Sequence, residues 1–413
     1  MATNVWLASA PAVAQVNTVT PAVVAIGNDF NVVVHGNTFT FRATAGTVAN
    51  VTAGLVALIN SSTIAEWLEV VAADITTALT ITSRTPGVPF TQTSSAAVGS
   101  GGGAPTNTTA TTTTSTGPSD WSSTANWSLG AVPVSTDAVV IENSTVDILY
   151  GLANAAVTLA SLTIRASYTG RIGLPVFTGS YAEYRTRYLT IGATLVSIGE
   201  GPGPGSGRIR LALGSVQGTV TVWKTAAPND SPLESFILTG SHASNVVTAY
   251  GGSVGIGVEQ GQATAVTATA TANGDAHIRI GSSSVAPTLT TVNQYGLTSD
   301  VEIWSAFTTL TKLGGKTLVQ GTGAITTIDA RGGLIDHRST GTITTLGLNN
   351  APATIDFSRN LGGCTATTTT MYKGTGLSDP VKKVTYSNGI LLKYCKLSEV
   401  NLDLGSNTTL TPS

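Results

Sequence analysis

The sequence predicts a mainly β protein: a small N-terminal α+β module followed by a parallel β-solenoid, with a right-handed coil expected. Three observations carry this: low charge, a composition dominated by small and β-branched residues, and short apolar runs recurring in tandem. Only 10% of the 413 residues are charged and 46 are glycine, whereas charged residues make up roughly a quarter of an average globular domain. A chain so poor in charge stays soluble by pairing its backbone and packing tightly, and short runs of Thr, Val and Ile favour strands. The recurrence is clearest where "TLTKLGG", "AITTIDARGG" and "TITTLGLNN" follow one another, with Leu310, Ile325 and Ile343 read as equivalent. These stand 15 and 18 residues apart, and Leu289 of "TLTTVNQYG" lies 21 before Leu310. A variable period near ~20 is what solenoid coils show, because turns lengthen without disturbing strands. An antiparallel sandwich would not explain Ile-Thr-Thr-Ile units in tandem. About 270 residues in coils of about 20 stack about 13 high at ~4.8 Å each, a rod of roughly 60 Å.

The elements follow in order. Residues 1–93 read as the α+β module. "NDFNVVVHGNTFTFRAT" alternates around His35-Gly36-Asn37 as a hairpin with a glycine turn. In "TVANVTAGLVALINSS", Val48, Val51, Leu55, Leu58 and Ile59 fall at helical spacing behind Thr47, a candidate N-cap. "TIAEWLEVVAAD" reads as a second short helix or a turn, and "ALTITSRTPGVPFTQT" as two strands broken at Pro86-Gly87. Residues 94–119, "SSAAVGSGGGAPTNTTATTTTSTGPS", contain no large apolar side chain beyond one valine. Such a segment offsets little of its ordering entropy by burial, so a linker is expected there. Residues 120–413 form the solenoid, opened by Trp121 and Trp127, whose rings are expected to cap the exposed first coil.

Chemistry-bearing patterns are sparse. Net charge is −2, which offers no field toward nucleic acid or anionic lipid. No basic–apolar leader and no long apolar run is present, so neither a signal peptide nor a membrane helix is expected. His35, His242, His277 and His337 match no zinc spacing, Cys364 and Cys395 are expected reduced, and no cofactor or metal is expected. "GEGPGPGSGR" (199–208) lacks the Lys-Ser/Thr ending of a phosphate loop and reads as a flexible protruding loop. Asp329, Asp336, His337 and Asp356 are the catalytic candidate, since a glycosidase needs two carboxylates about 5–10 Å apart. Solvated turns with Asp–Arg pairs explain the same residues, through Arg331 and Arg338, and a non-enzymatic chain is expected. "YAEYRTRY" combines Tyr181, Tyr184 and Tyr188 with Arg185 and Arg187, a residue mixture enriched at protein contacts. Lys382, Lys383, Lys393 and Lys396 near the C-terminus read as protection of the last coil's edge, with a basic patch as the other reading.

Two stretches carry a resemblance. The opening "VWLASAPAVAQVNTVTP", with Trp6, the Gly36 hairpin, the Ala-rich helix and "TPGVPF", resembles a small module of tailed-phage structural proteins over about 90 residues. "DWSSTANWSLGAVPVSTDAVVI" is similar to a W…NW…G..P…D.V.I signature that opens β-solenoids in phage proteins and bacterial surface passengers. The resemblance implies a virion structural protein, most like a head decoration or cement protein on the capsid exterior, made in the host cytoplasm. Its implied partners are the major capsid protein and its own copies, as a homotrimer, with Trp6 and the Tyr/Arg loop as contact residues. A tail fibre or tailspike that binds a host receptor or polysaccharide is the second reading, and a bacterial surface adhesin the third. The family supplies no catalytic residue.

Overall fold

The computed structural model describes residues 2–100, 102–175, 184–229, 234–260 and 266–406. The chain begins on the solenoid, not in the module. Strand β1 (Thr3–Val5) lies parallel on β9 (Ala138–Ile141), and the chain then leaves to build the module. A single antiparallel bridge, Val13 to Thr116, closes the neck where it returns. The module therefore occupies roughly 13–116, an insertion in the first coil, rather than 1–93.

Its seven strands form two sheets. One has the order β5 (Val70–Asp74), β6 (Leu79–Ser83), β2 (Val16–Ala22), β8 (Thr106–Thr113); the other β4 (Asn37–Arg42), β3 (Asp29–Val34), β7 (Gln92–Ala97). Helix α1 (Val48–Asn60) starts where Thr47 Oγ1 accepts from the Asn50 amide at 3.3 Å, and it buries Val51, Leu55 and Ile59 as the spacing predicts. These pack against Val19, Phe30, Val32, Trp67, Leu79 and Ile81. The expected linker is largely structure: β8 and most of β7 lie in 94–119. Apolar burial is not what orders it. β8 pairs along the whole of β2, and its polar side chains bond inward: Asn107 Nδ2 donates to the Asn31 carbonyl at 2.9 Å, and Thr109 Oγ1 accepts from Gln92 Nε2 at 2.9 Å. Backbone pairing and buried side-chain bonds replace the missing hydrophobes.

The solenoid is two parallel ladders. The first runs β1, β9, Ala153–Arg165, Leu189–Glu200, Thr219–Val222, Val246–Ala249, Val266–Ala272, Thr288–Gln294, Phe307–Lys312, Ile325–Ala330, Ile343–Leu348, Cys364–Met371 and Ile390–Leu392. At ~4.8 Å per rung these thirteen strands span roughly 60 Å. The second ladder stacks Ile209–Ala212, Phe236–Thr239, Ser253–Ile256, His277–Ile280, Asp300–Ile303, Lys316–Val319, Leu334–His337, Thr354–Asp356, Gly376–Ser378 and Asn401–Asp403. One continuous apolar core runs from Trp6 to Leu377.

The register corrects one detail. Ile325 sits on Phe307, and Leu310 on Ile328, so the repeat there is a strict 18 through Thr291, Thr309, Thr327 and Thr345. Both Phe307 and Leu310 point inward across a bend in the strand, which is why either aligns with Ile325 by eye. Outside, Thr269, Thr291, Thr309, Thr327, Thr345 and Thr368 stack in direct register, six threonines on one flat face. Glycine is required at the tight corner of the short coils: Gly333 has φ +71°, and a Cβ there would stand 2.3 Å from the Gly315 carbonyl oxygen one coil below.

Candidate functional site

The tryptophans close the first coil. Trp121 and Trp127 are buried and meet edge to face at 4.6 Å, and Trp127 Nε1 donates to the Trp121 carbonyl at 2.8 Å. Trp6, expected at a contact surface, is the third member: it is 2% exposed and meets Trp127 at 5.1 Å. The return of β1 to the solenoid places it there, since Trp6 is the next residue along from Val5 and bridges Trp127.

The Tyr/Arg loop has an internal partner. Tyr181 lies outside the described residues. Arg185 reaches from the solenoid to the module, donating to both carboxylate oxygens of Glu69 at 3.2 and 3.3 Å and lying over the Tyr150 ring at 5.8 Å. Tyr184 stacks on His35, which itself contacts Glu69 at 3.0 Å. The loop thus clasps the module to the rod.

Arg187 and Tyr188 turn the other way. Tyr188 is 3% exposed and donates to Glu259; Arg187 and Arg210 contact the same carboxylate at 3.3 and 3.2 Å. Burial raises the Tyr188 phenol well above its ordinary range, so it stays a donor. The cluster covers the outer face of the second ladder, where Phe236–Thr239 is buried on both sides. A second ion pair, Arg279 to Glu234 at 3.6 Å, lies on the same face, and burial raises the Glu234 carboxyl.

The acidic constellation is not assembled. Asp329 is on the first ladder and Asp336 on the second, and each is held by its own arginine: Arg331 at 2.8 Å, Arg338 at 2.5 Å. Its bonds to Arg338 keep the Asp336 carboxyl below the usual range, the reverse of what a general acid needs. Asp356 neighbours Asp336 on the ladder but accepts from the Ser358 amide. His337 points into the core against Phe357, and burial pushes it down to about 4. A second ionisable group is hidden likewise: Lys312 Nζ donates to Gln294 Oε1, Gly314 O and Gly315 O at 2.7, 2.6 and 2.8 Å, and burial lowers it to about 7.

The Gly-rich stretch is half packed rather than protruding: Gly205 donates to the Ala166 carbonyl at 2.8 Å and Ser206 is buried. Lys382, Lys383, Lys393 and Lys396 lie on the last coils, and both cysteines are free. Among the described residues no cluster of His, Cys, Asp and Glu is placed to hold a metal, and no helix is long and apolar enough to cross a membrane.

What sequence reasoning missed lies at the corner after the first ladder. Val222 and Ala249 are register partners, so Trp223 and Tyr250 emerge one above the other. Their rings stack at 4.7 Å and 9°, 46% and 44% exposed. Beside them a groove of about 510 Å³ is floored by Gly251 to Ser253 and walled by Thr225, Asp275 and His277. The signal was present: "TVTVWK" and "VVTAYGG" each end an inward-alternating run on an aromatic. Against known proteins, no family model, curated sequence or solved structure matches this chain.

Proposed function

We propose that the chain is a structural, non-catalytic protein of a tailed-phage virion, a head decoration or cement protein that binds the outer capsid surface and stabilises the shell. The observation that supports it is the fusion of module and rod. β1, the Val13–Thr116 bridge and the Arg185–Glu69 clasp join them at three places, so force on one part is carried by the other. A bridging protein needs that stiffness; an enzyme needs an assembled site, and the acids here are tied to arginines. The end of the module away from the rod carries exposed Val23, Ile26 and Val98, the apolar contacts such a foot requires. Self-association as a trimer belongs to the same proposal.

Co-sedimentation of the full chain with capsids tests it, beside a variant with Val23, Ile26 and Val98 changed to Asp. Binding by the full chain and its loss in the variant is the expected result. Failure of the full chain to bind capsids overturns the decoration reading and favours the tail. Light scattering of the purified protein checks the trimer.

A further inference from the structure

We infer that the corner groove beside Trp223 and Tyr250 is a binding site for a neutral, linear oligosaccharide. The inference is independent of whether the chain sits on head or tail.

Four observations converge. The first is the aromatic platform. Trp223 and Tyr250 stack ring on ring on consecutive coils and still leave nearly half of their surface to solvent, with Trp223 anchored by a 3.2 Å bond from Nε1 to Ser197 Oγ. Tyr295, 41% exposed, follows Gln294, which pairs with Ala272 as Ala272 pairs with Ala249, so it stands at the same corner two rungs beyond Tyr250, roughly 10 Å away. Flat apolar faces rimmed by polar edges suit a pyranose, which presents C–H groups on its faces and hydroxyls around its rim.

The second is the state of the polar wall. Six acids of the solenoid, Glu142, Asp147, Glu234, Glu259, Asp329 and Asp336, each contact an arginine. The Asp275 and Asp300 carboxylates, and the His277 and Lys316 side chains beside them, make no side-chain hydrogen bond or ion pair among the described residues. Unpaired carboxylates accept from hydroxyls, and an ammonium donates to them.

The third is continuity. A second hollow of about 190 Å³, lined by His277, Asp300, Glu302 and Lys316, shares His277 with the first, so the trough follows the rod axis. A linear polymer fits that shape better than a compact metabolite. The mixed signs of Asp275, Asp300, Lys224 and Lys316 give no attraction to a polyanion.

The fourth is the floor. Gly252 has φ +79°, and a Cβ there would meet the Thr225 amide and hydroxyl at 2.6 Å; a Cβ on Gly251 would meet Asp275 Oδ1 at 2.8 Å. Side chains at either position would fill the trough.

The test titrates the full-length protein with cello-, malto-, manno- and chitin-derived hexasaccharides, reading tryptophan fluorescence and heat. Binding of at least one at or below ~5 mM is expected, with a fluorescence change from exposed Trp223. Trp223→Ala and Asp275→Asn should each weaken it at least about tenfold while the melting transition stays in place. Asp275 is exposed, so its variant keeps the test valid if the tryptophan variant misfolds. No binding by any of the four at that concentration overturns the proposal. So does binding that both variants retain, or uptake of a sulfated polysaccharide that Trp223→Ala leaves unchanged.

Discussion

Two stretches of the same solenoid use their turns differently. From Leu195 through Thr219 and Val246 to Thr269, register partners are 24, 27 and 23 residues apart; from Thr291 to Thr345 they are a constant 18. The rungs are alike in both, so the surplus residues sit in excursions. In the long coils these excursions bury the Arg187–Tyr188–Arg210–Glu259 cluster and wall the Trp223–Tyr250 groove. The short coils carry threonine rows and surface pairs such as Asp329–Arg331, and their buried polar groups, Lys312 and His337, sit within the strands. A rung is a template that satisfies the next rung's backbone, and whatever is particular to this protein is hung on the corners.

That contrast can be broken at several points, taken from the largest expected effect downward. Trp127→Ala should cost about 3–5 kcal/mol, because it opens the cap on which both kinds of coil depend; chemical denaturation measures it. Glu259→Gln should cost about 3–5 kcal/mol by removing the buried carboxylate that Arg187, Tyr188 and Arg210 share. Asp329→Asn, the matching change in a short coil, should cost under about 1 kcal/mol. Similar losses for the two would show that the long coils are no more specialised than the short ones.

Acid should act on the core of the short coils through His337. Its folded pKa of about 4 lies below the ~6.5 of the unfolded chain. As pH falls the unfolded chain takes the proton first, so stability is full above about 6.5 and drains away toward 4, by about 3 kcal/mol in all. Melting curves of wild type and His337→Leu between pH 7 and 4 should diverge over that window. The carboxylates of Asp329 and Asp336, held low by their arginines, add losses only in stronger acid.

The smallest effect should follow removal of a whole short coil. Excising residues 325–342 brings Ile343 onto Phe307 and removes one 18-residue coil. The chain should still fold cooperatively, a rung (~4.8 Å) shorter by small-angle scattering. An equivalent cut from Val246 to Ala268 should fail, since it takes Glu259 and Tyr250 with it. If both cuts fold equally well, the excursions contribute nothing to stability.

The limits of the sequence show in the same particulars. Tandem Ile-Thr-Thr-Ile units reveal a solenoid because each coil repeats one local pattern, and the cap tryptophans are legible because bulky rings at a repeat's open end have few other uses. Trp6 was not legible as a cap residue, since its partner is 121 positions away in sequence and only the return of β1 unites them. Residues 94–119 misled because composition measures apolar burial, and β8 is ordered by pairing with β2. Arg187 and Arg185 look equivalent, yet one neutralises Glu259 and the other Glu69. The groove was hidden for a related reason: Trp223 and Tyr250 are 27 residues apart, a spacing fixed by the length of one irregular turn.

The sequence by itself determined the β class, the stacked coils and the capping pair, because these depend on composition and on periodicity within one coil. Only the tertiary structure decided where the module is inserted, which charges are buried together and which aromatics share a corner. Those depend on the lengths of the excursions, and a turn can gain or lose residues without leaving any trace in the pattern of the strands it joins.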